Sequence, residues 1–302
     1  MKVLIIGLGS IAKKHITALK QIEPQVEIYA FRSNENAASF ESVINIYSLQ
    51  NLKTEFKFCI ISNPTQLHFD TIKDSLHLNI PIFIEKPSLM SLNGSEQISQ
   101  LISEKNIFTY VGFNLRFHPI IQFLKETIST QDVTEANIYC GSYLPDWRPD
   151  QDYTKVYSAH KSLGGGVHLD LIHEIDYATW LFGPPINSLS IKNKVSNLKI
   201  DSYDFAAYHL QYDNKMVNIQ LNYYRKHPRR TIELITTNGV ILADLLNQKI
   251  VNEKNEVLFS SNATIIDTYY LQMQYFINAI SNKQTSLNSF DDSLANLKIC
   301  LE

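Results

Sequence analysis

Gly7-Leu-Gly9-Ser10-Ile11-Ala12 has the form G-x-G-x-x-A, and its place in the chain matters more than the pattern. It follows a β-favouring run, Val3 to Ile6, and opens a stretch, Ser10 to Ile22, in which Ile11, His15, Ala18 and Leu19 share one helical face. In such a strand-turn-helix, Gly7 allows the tight bend, Gly9 lets the backbone approach a pyrophosphate, and the small Ala12 permits close packing of helix on sheet. The helix N-terminus at Ser10 and Ile11 offers its N–H groups to phosphates. A second strand, Val26 to Phe31, runs into Arg32 and Ser33, where a carboxylate would stand to accept from the ribose hydroxyl of NAD. Arg32 and Ser33 suit a 2′-phosphate instead, through charge-assisted hydrogen bonds. The expected cofactor is NADP(H), with NAD(H) as the alternative.

The elements that position this turn read as a doubly wound α/β domain. Further strands are expected at Lys57 to Ser62, Ile80 to Ile84 and Thr109 to Phe113, with a helix from Thr65 to Leu78. Short apolar strands alternating with helices imply parallel pairing through right-handed crossovers. After about residue 130 the runs lengthen and alternate, at Ala136 to Tyr143, Asp204 to Tyr212, Met216 to Tyr224, Thr231 to Thr237 and Gly239 to Asp244. Hairpin-type turns at Tyr212–Lys215 and Thr237–Gly239 predict a mainly antiparallel, open sheet. Gly164 to Phe182 reads as one helix within it, and Tyr269 to Ile280 as another, whose aromatic stripe suits core packing. The expectation is a Rossmann domain over 1–115 and an α+β substrate-binding and oligomerisation domain over 116–302.

At 302 residues, with 44% apolar and 19% charged residues, the chain can bury two cores. A net charge of −3 with interspersed signs gives no footprint for nucleic acid or anionic membrane. The N-terminal apolar run stops after about five residues at a glycine turn, so it reads as a strand and not a leader, and no stretch approaches the roughly 20 apolar residues of a membrane span. Three widely separated cysteines, Cys59, Cys140 and Cys300, suit a reducing cytoplasm and neither a disulfide framework nor a metal site.

Further motifs carry a resemblance. Ser62-Asn63-Pro64-Thr65 with His68, then Glu85-Lys86-Pro87, then Gly112-Phe-Asn114-Leu-Arg116, and finally Gly164-Gly-Gly-Val-His168-Leu-Asp170-Leu-Ile-His173-Glu174-Ile-Asp176 follow the glycine turn in order. Together they resemble the Gfo/Idh/MocA oxidoreductases over nearly the full chain. The resemblance implies dimers or tetramers built on the C-terminal sheet, and chemistry at a carbinol carbon of a sugar, inositol or nucleotide-activated sugar. It adds Asn63, Pro64, His68, Glu85, Lys86 and Asn114 to the cofactor site, and matches Lys86 and His173 to the family's catalytic lysine and histidine. Many members space the helix motif as Asp-x-x-x-His, whereas Asp170-x-x-His173 is followed here by Glu174; His173 is preferred, with Glu174 as the alternative.

The chemistry fits those residue types. Moving a hydride from a secondary alcohol requires the hydroxyl proton to leave, and the reverse reaction requires it to arrive. An imidazole exchanges protons near neutrality, so His173 suits that role, and the Lys86 ammonium can anchor and polarise the same oxygen. Amine and imidazole would come from different domains. Asp170 could orient the imidazole or accept from a neighbouring substrate hydroxyl, while His168 reads as structural. Trp147, Arg148, Tyr157 and Arg116 suit a sugar face and an anionic group. The plainer reading makes Trp147 a packed aromatic and Arg148 the partner of an acid. Two rival functions remain at this level: a non-catalytic nucleotide-binding regulator, and redox-neutral epimerisation or elimination with a tightly bound cofactor.

Overall fold

In the computed structural model, which describes residues 1–36, 39–49 and 55–302, the first β-favouring run forms strand β1 (Lys2–Ile6) and the glycine turn leads into helix α1 (Ser10–Ile22). There follow β2 (Glu27–Phe31), β3 (Val43–Ile46), β4 (Phe58–Ile61), α2 (His68–Ser75), β5 (Ile82–Ile84), α3 (Ser95–Glu104) and β6 (Thr109–Val111). Every pairing in this sheet is parallel, in the order β3-β2-β1-β4-β5-β6. The order reverses between β1 and β4, so the carboxyl ends of these two strands flank the crevice where doubly wound sheets take their ligands. All residues of β4 and β5 are buried, as strands covered on both faces must be.

The chain continues through α4 (Pro119–Thr127), β7 (Val133–Tyr143), α5 (Val167–Asp170), α6 (His173–Phe182), β8 (Asn187–Asn193), β9 (Phe205–Gln211) and β10 (Met216–Asn222). It then forms β11 (Tyr224–Thr236), β12 (Gly239–Asp244), β13 (Lys249–Asn252), β14 (Val257–Ser260), α7 (Ile265–Ser281) and α8 (Phe290–Leu301). The eight later strands form one sheet, β14-β13-β12-β11-β7-β10-β9-β8. It is antiparallel except between β7 and β10, whose register runs from Glu135↔Met216 to Gly141↔Asn222. One face of its central strands is core: Ala136, Ile138, Val217, Ile219, Ile232 and Leu234 are all buried. The other face carries a polar ladder in which His209 Nδ1 lies 2.8 Å from Asn218 Oδ1, Asn218 donates to Asn137, and Asn137 donates to Glu233.

Two compact units result: Met1–Asn114 with Thr264–Ala295, and Leu115–Ala263 with Asn296–Glu302. Residues 264–295, which the sequence reading places with the second domain, therefore belong to the first. The reason is the aromatic face of α7: Phe276 packs edge-on against Phe58 and Phe83, with ring centroids 5.0 and 5.4 Å away.

The expected single helix over 164–182 is also corrected. A turn at Leu171–Ile172 separates α5 from α6, and the carbonyl of His168 accepts from the Cys300 thiol at 3.2 Å. The 100° spacing rule thus does not relate Asp170 to His173. No helix among the described residues is long and apolar enough to cross a membrane.

Candidate active site

At the first unit's crevice Gly7 has φ +90°, and a Cβ there would lie 2.6 Å from Asn63 Cα and N. Only glycine allows this approach between the β1 and β4 loops. Gly9 differs: it is the N-cap of α1 in extended conformation, and a Cβ on it would meet nothing within 4 Å. No side chain caps α1 and no acid lies in its first turn, so its leading amides, from Ser10 and Ile11 onward, are left for another acceptor. The turn that precedes them lines a cleft of about 1470 Å³ whose walls include Gly7, Leu8, Arg32, Ser33, Asn63 and Pro64. Asn63 donates to Thr71 at 2.7 Å, while its Oδ1 is buried without a partner among the described residues. A glycine cradle, an uncapped helix and an orphan acceptor together fit a dinucleotide.

Three residues expected at the cofactor also have protein partners. His68 is fully buried, with Nδ1 3.0 Å from Pro87 O and Nε2 3.0 Å from Asn63 O, so it braces the loop after β4 against the loop after β5. Burial lowers its pKa. Asn114 donates to Thr268 on α7 at 2.7 Å. Glu85 faces His15 of α1 at 2.5 Å and accepts the Lys86 backbone N–H at 3.2 Å. Lys86 is half-buried, and its bond to Pro87 is cis.

In the second unit Gly165 admits no side chain, since a Cβ would lie 2.2 Å from the Tyr157 carbonyl oxygen. This contact packs the 157–160 turns beneath the start of α5. Asp170, at the end of α5, is only 5% exposed, and two phenols donate to it: Tyr157 to Oδ1 at 2.8 Å and Tyr223 to Oδ2 at 2.5 Å. The Asp170 charge and burial raise the Tyr157 pKa; burial and then Asp170 raise that of Tyr223. Both stay protonated donors at neutral pH. Trp147 stands edge-on to Tyr223 at 5.2 Å and donates to Ser142, while Arg148 lies over the Tyr157 ring at 5.6 Å. Trp147, Arg148, Tyr157 and Asp170 are thus brought into one cluster.

His173 opens α6 and is nearly buried. Glu174, the alternative, has no exposed surface: Oε1 accepts from Arg230 of β11 at 2.6 Å, which directs it at the sheet. Arg116, expected at the substrate, is buried and held by an acid. Its guanidinium makes a two-pronged pair with Asp176 at 2.9 and 2.7 Å, and Asn296 adds a bond to the same carboxylate. His168 is buried edge-on to Tyr203, and burial, with Lys192 and Lys161 nearby, lowers its pKa to about 4, as befits a structural role. The cysteines are free, buried, and pushed up to about 12 by burial, so none is a nucleophile.

Sequence reasoning missed His15, Tyr223 and Arg230. His15 had a signal, a histidine on the inner face of the nucleotide helix; the other two sit in Tyr223-Tyr-Arg-Lys-His-Pro-Arg-Arg230, whose charge and proline hid the start of β11.

Residues 1–113 match the family profile described as oxidoreductase family, NAD-binding Rossmann fold, and residues 121–242 match the GFO/IDH/MocA C-terminal domain. The chain is 26% identical over 254 residues to scyllo-inositol 2-dehydrogenase (NAD(+)) of Bacillus subtilis, covering 80% of this chain and 72% of that one. Two solved structures share the fold over 100% of this chain and 95% of theirs, both with 19% identity and a TM-score of 0.81. They are UDP-N-acetylglucosamine 3-dehydrogenase from Acidithiobacillus ferrooxidans and myo-inositol 2-dehydrogenase from Lactobacillus plantarum. With the glycine cradle in place and both domain profiles matched in order, the chain belongs to the Gfo/Idh/MocA oxidoreductases.

Proposed function

We propose that this nicotinamide-dependent dehydrogenase acts on a carbinol or keto carbon of a sugar, inositol or sugar derivative, with NADP(H) preferred. The observation that carries the substrate class is Asp170, a buried carboxylate held by the phenols of Tyr157 and Tyr223, with Trp147 against the latter. A fixed acceptor next to aromatic faces suits a polyhydroxylated ring, whose hydroxyls need acceptors and whose C–H faces pack on aromatics. The preference for NADP(H) is supported by Arg32 and Ser33 at the end of β2, on the cleft wall where a carboxylate would favour NAD.

The uncapped α1 amides and Gly9 would hold the pyrophosphate, and Arg32 with Ser33 the adenosine ribose. When bound, the nicotinamide supplies the acceptor or donor of the hydride exchanged with the carbinol carbon. His173 takes the hydroxyl proton during oxidation and returns it during reduction. Lys86 would stabilise charge on a substrate oxygen, and Asp170 would accept from a substrate hydroxyl or fix the imidazole. A two-fold assembly through the open face of the second sheet is supported by its charge pattern: Glu135 and Glu233 lie toward one end of the central strands, Arg225 and Arg229 toward the other, over Tyr139. Two copies related by a two-fold axis can set acidic end against basic end. Light scattering on the purified protein tests this, and a monomer at micromolar concentration would refute it.

The decisive assay follows nicotinamide absorbance with both cofactors against inositols, sugars, sugar acids and nucleotide sugars. Lys86→Ala and His173→Ala should each lower kcat by about 10²-fold while nucleotide binding persists. Full activity in both variants, or no turnover on any member of the panel, overturns the reading. Glu174→Gln should destabilise the fold through the stranded Arg230 and leave folded-state kcat far closer to wild type than His173→Ala does.

A further inference from the structure

We propose that Tyr223 is a positioning residue for the reaction, a buried strut that fixes the Asp170 carboxylate. The proposal rests on reading Asp170 as a substrate-side group. Tyr223 lies between β10 and β11 with its backbone held on both sides: its N–H donates to Asp204 O at 3.0 Å, and its carbonyl accepts from Leu144 N at 2.8 Å. Its side chain is fully buried, its ring is wedged edge-on against Trp147, and Trp147 is anchored in turn by its bond to Ser142. The phenol therefore has one direction in which to donate, and Asp170 Oδ2 lies there at 2.5 Å.

The two phenols on Asp170 are not equivalent. Tyr157 is 37% exposed with Arg148 over its ring, so of the two donors it is the one that a substrate hydroxyl could replace at Oδ1. Tyr223 cannot exchange. A carboxylate turns about two side-chain torsions, and one rigid donor at one oxygen removes most of that freedom, so the other oxygen keeps its direction when Tyr157 yields its place. Orientation held before substrate arrives is what raises kcat, because no reorganisation is left for the transition state. Neither tyrosine is itself the proton carrier, since Asp170 and burial both favour the protonated phenol.

The test uses the full chain with its best substrate from the panel. Tyr223→Phe removes one oxygen and keeps the ring. The expected result is a kcat about tenfold or more below wild type, a substrate KM changed by less than about threefold, and an unchanged nucleotide Kd. Tyr157→Phe should instead act mainly on KM. Because Tyr223 works through Asp170, the double variant Tyr223→Phe/Asp170→Asn should be no slower than Asp170→Asn alone. If Asp170→Asn is strongly impaired and Tyr223→Phe is not, or the two losses multiply, the strut is wrong and the reading of Asp170 stands. If Asp170→Asn keeps full kcat, the reading of Asp170 fails and the proposal with it. Should Tyr223→Phe not hold nucleotide, 3-fluorotyrosine at position 223 keeps ring and hydroxyl but strengthens the donor; a kcat changed at least twofold supports the strut, and an identical kcat overturns it.

Discussion

His15 Nε2 lies 2.5 Å from Glu85 Oε1, which ties the helix after the glycine turn to the tripeptide that carries Lys86. Both side chains are buried, His15 among the rings of Phe83 and Tyr269. The other oxygen of Glu85 accepts the Lys86 N–H, so nucleotide cradle and candidate catalytic lysine share one anchor. His15→Ala strands a buried carboxylate and should destabilise the protein by about 3 kcal/mol. Urea unfolding measures this, and a loss below about 0.5 kcal/mol would show the pair to be incidental.

The two glycines of the turn should fail in different ways. Gly7→Ala forces φ +90° on a residue with a Cβ and drives it into the Asn63 backbone, a cost of about 3 kcal/mol seen as lost stability. Gly9→Val has an allowed backbone and open space around it, so it should fold within about 0.5 kcal/mol of wild type. Its side chain would occupy the room kept for phosphates, weakening nucleotide binding by about tenfold or more. Fluorescence titration with reduced cofactor reads the second effect, and a wild-type Kd in Gly9→Val would count against the cradle.

Arg32→Ala should raise KM for NADP(H) by about tenfold or more and leave KM for NAD(H) within about twofold, since a charge-assisted bond to a 2′-phosphate is absent with NAD. Equal effects on both cofactors would return Arg32 to the role of a loop cation.

Acid sensitivity follows from two buried histidines. Burial, reinforced by Arg230, lowers His118 to about 4, and burial with Lys192 and Lys161 lowers His168 to about 4. Folded, both stay neutral below the usual histidine value of about 6.5, where the unfolded chain takes up protons. Their contribution is complete above about pH 6.5 and is lost as pH falls toward about 4, with a slope of at most about 1.4 kcal/mol per pH unit for each. Unfolding free energies at about pH 7 and about pH 5 should differ accordingly, and His168→Gln should flatten the difference; an unchanged slope in that variant rules out His168 as a source.

Much of the first unit was legible because its determinants are local. The glycine turn, the apolar strands and the helix between them each announce themselves within a few residues. β3 was missed because Val-Ile-Asn-Ile is short and only half-buried. At the candidate site, residue types were readable but partners were not. Nothing near Arg116 shows that Asp176, 60 positions on, claims its guanidinium, and nothing near Glu174 points to Arg230, 56 positions on. Beside the break between α5 and α6, the thiol that meets the His168 carbonyl likewise comes from far along the chain, at Cys300. Local propensity predicts elements, whereas a buried polar group takes its meaning from a partner that only the tertiary fold supplies.

The seating of α7 beside the first sheet has a consequence for biosynthesis. β1 to β6 leave the ribosome in sequence, yet the helix that covers Phe58 and Phe83 is not made until residues 265–281 have been translated. Throughout that interval the nascent nucleotide-binding half carries an uncovered aromatic surface, an invitation to chaperones and to aggregation. The half that is synthesised first is therefore completed late, and a fragment ending at Asn114 should precipitate where the whole chain does not.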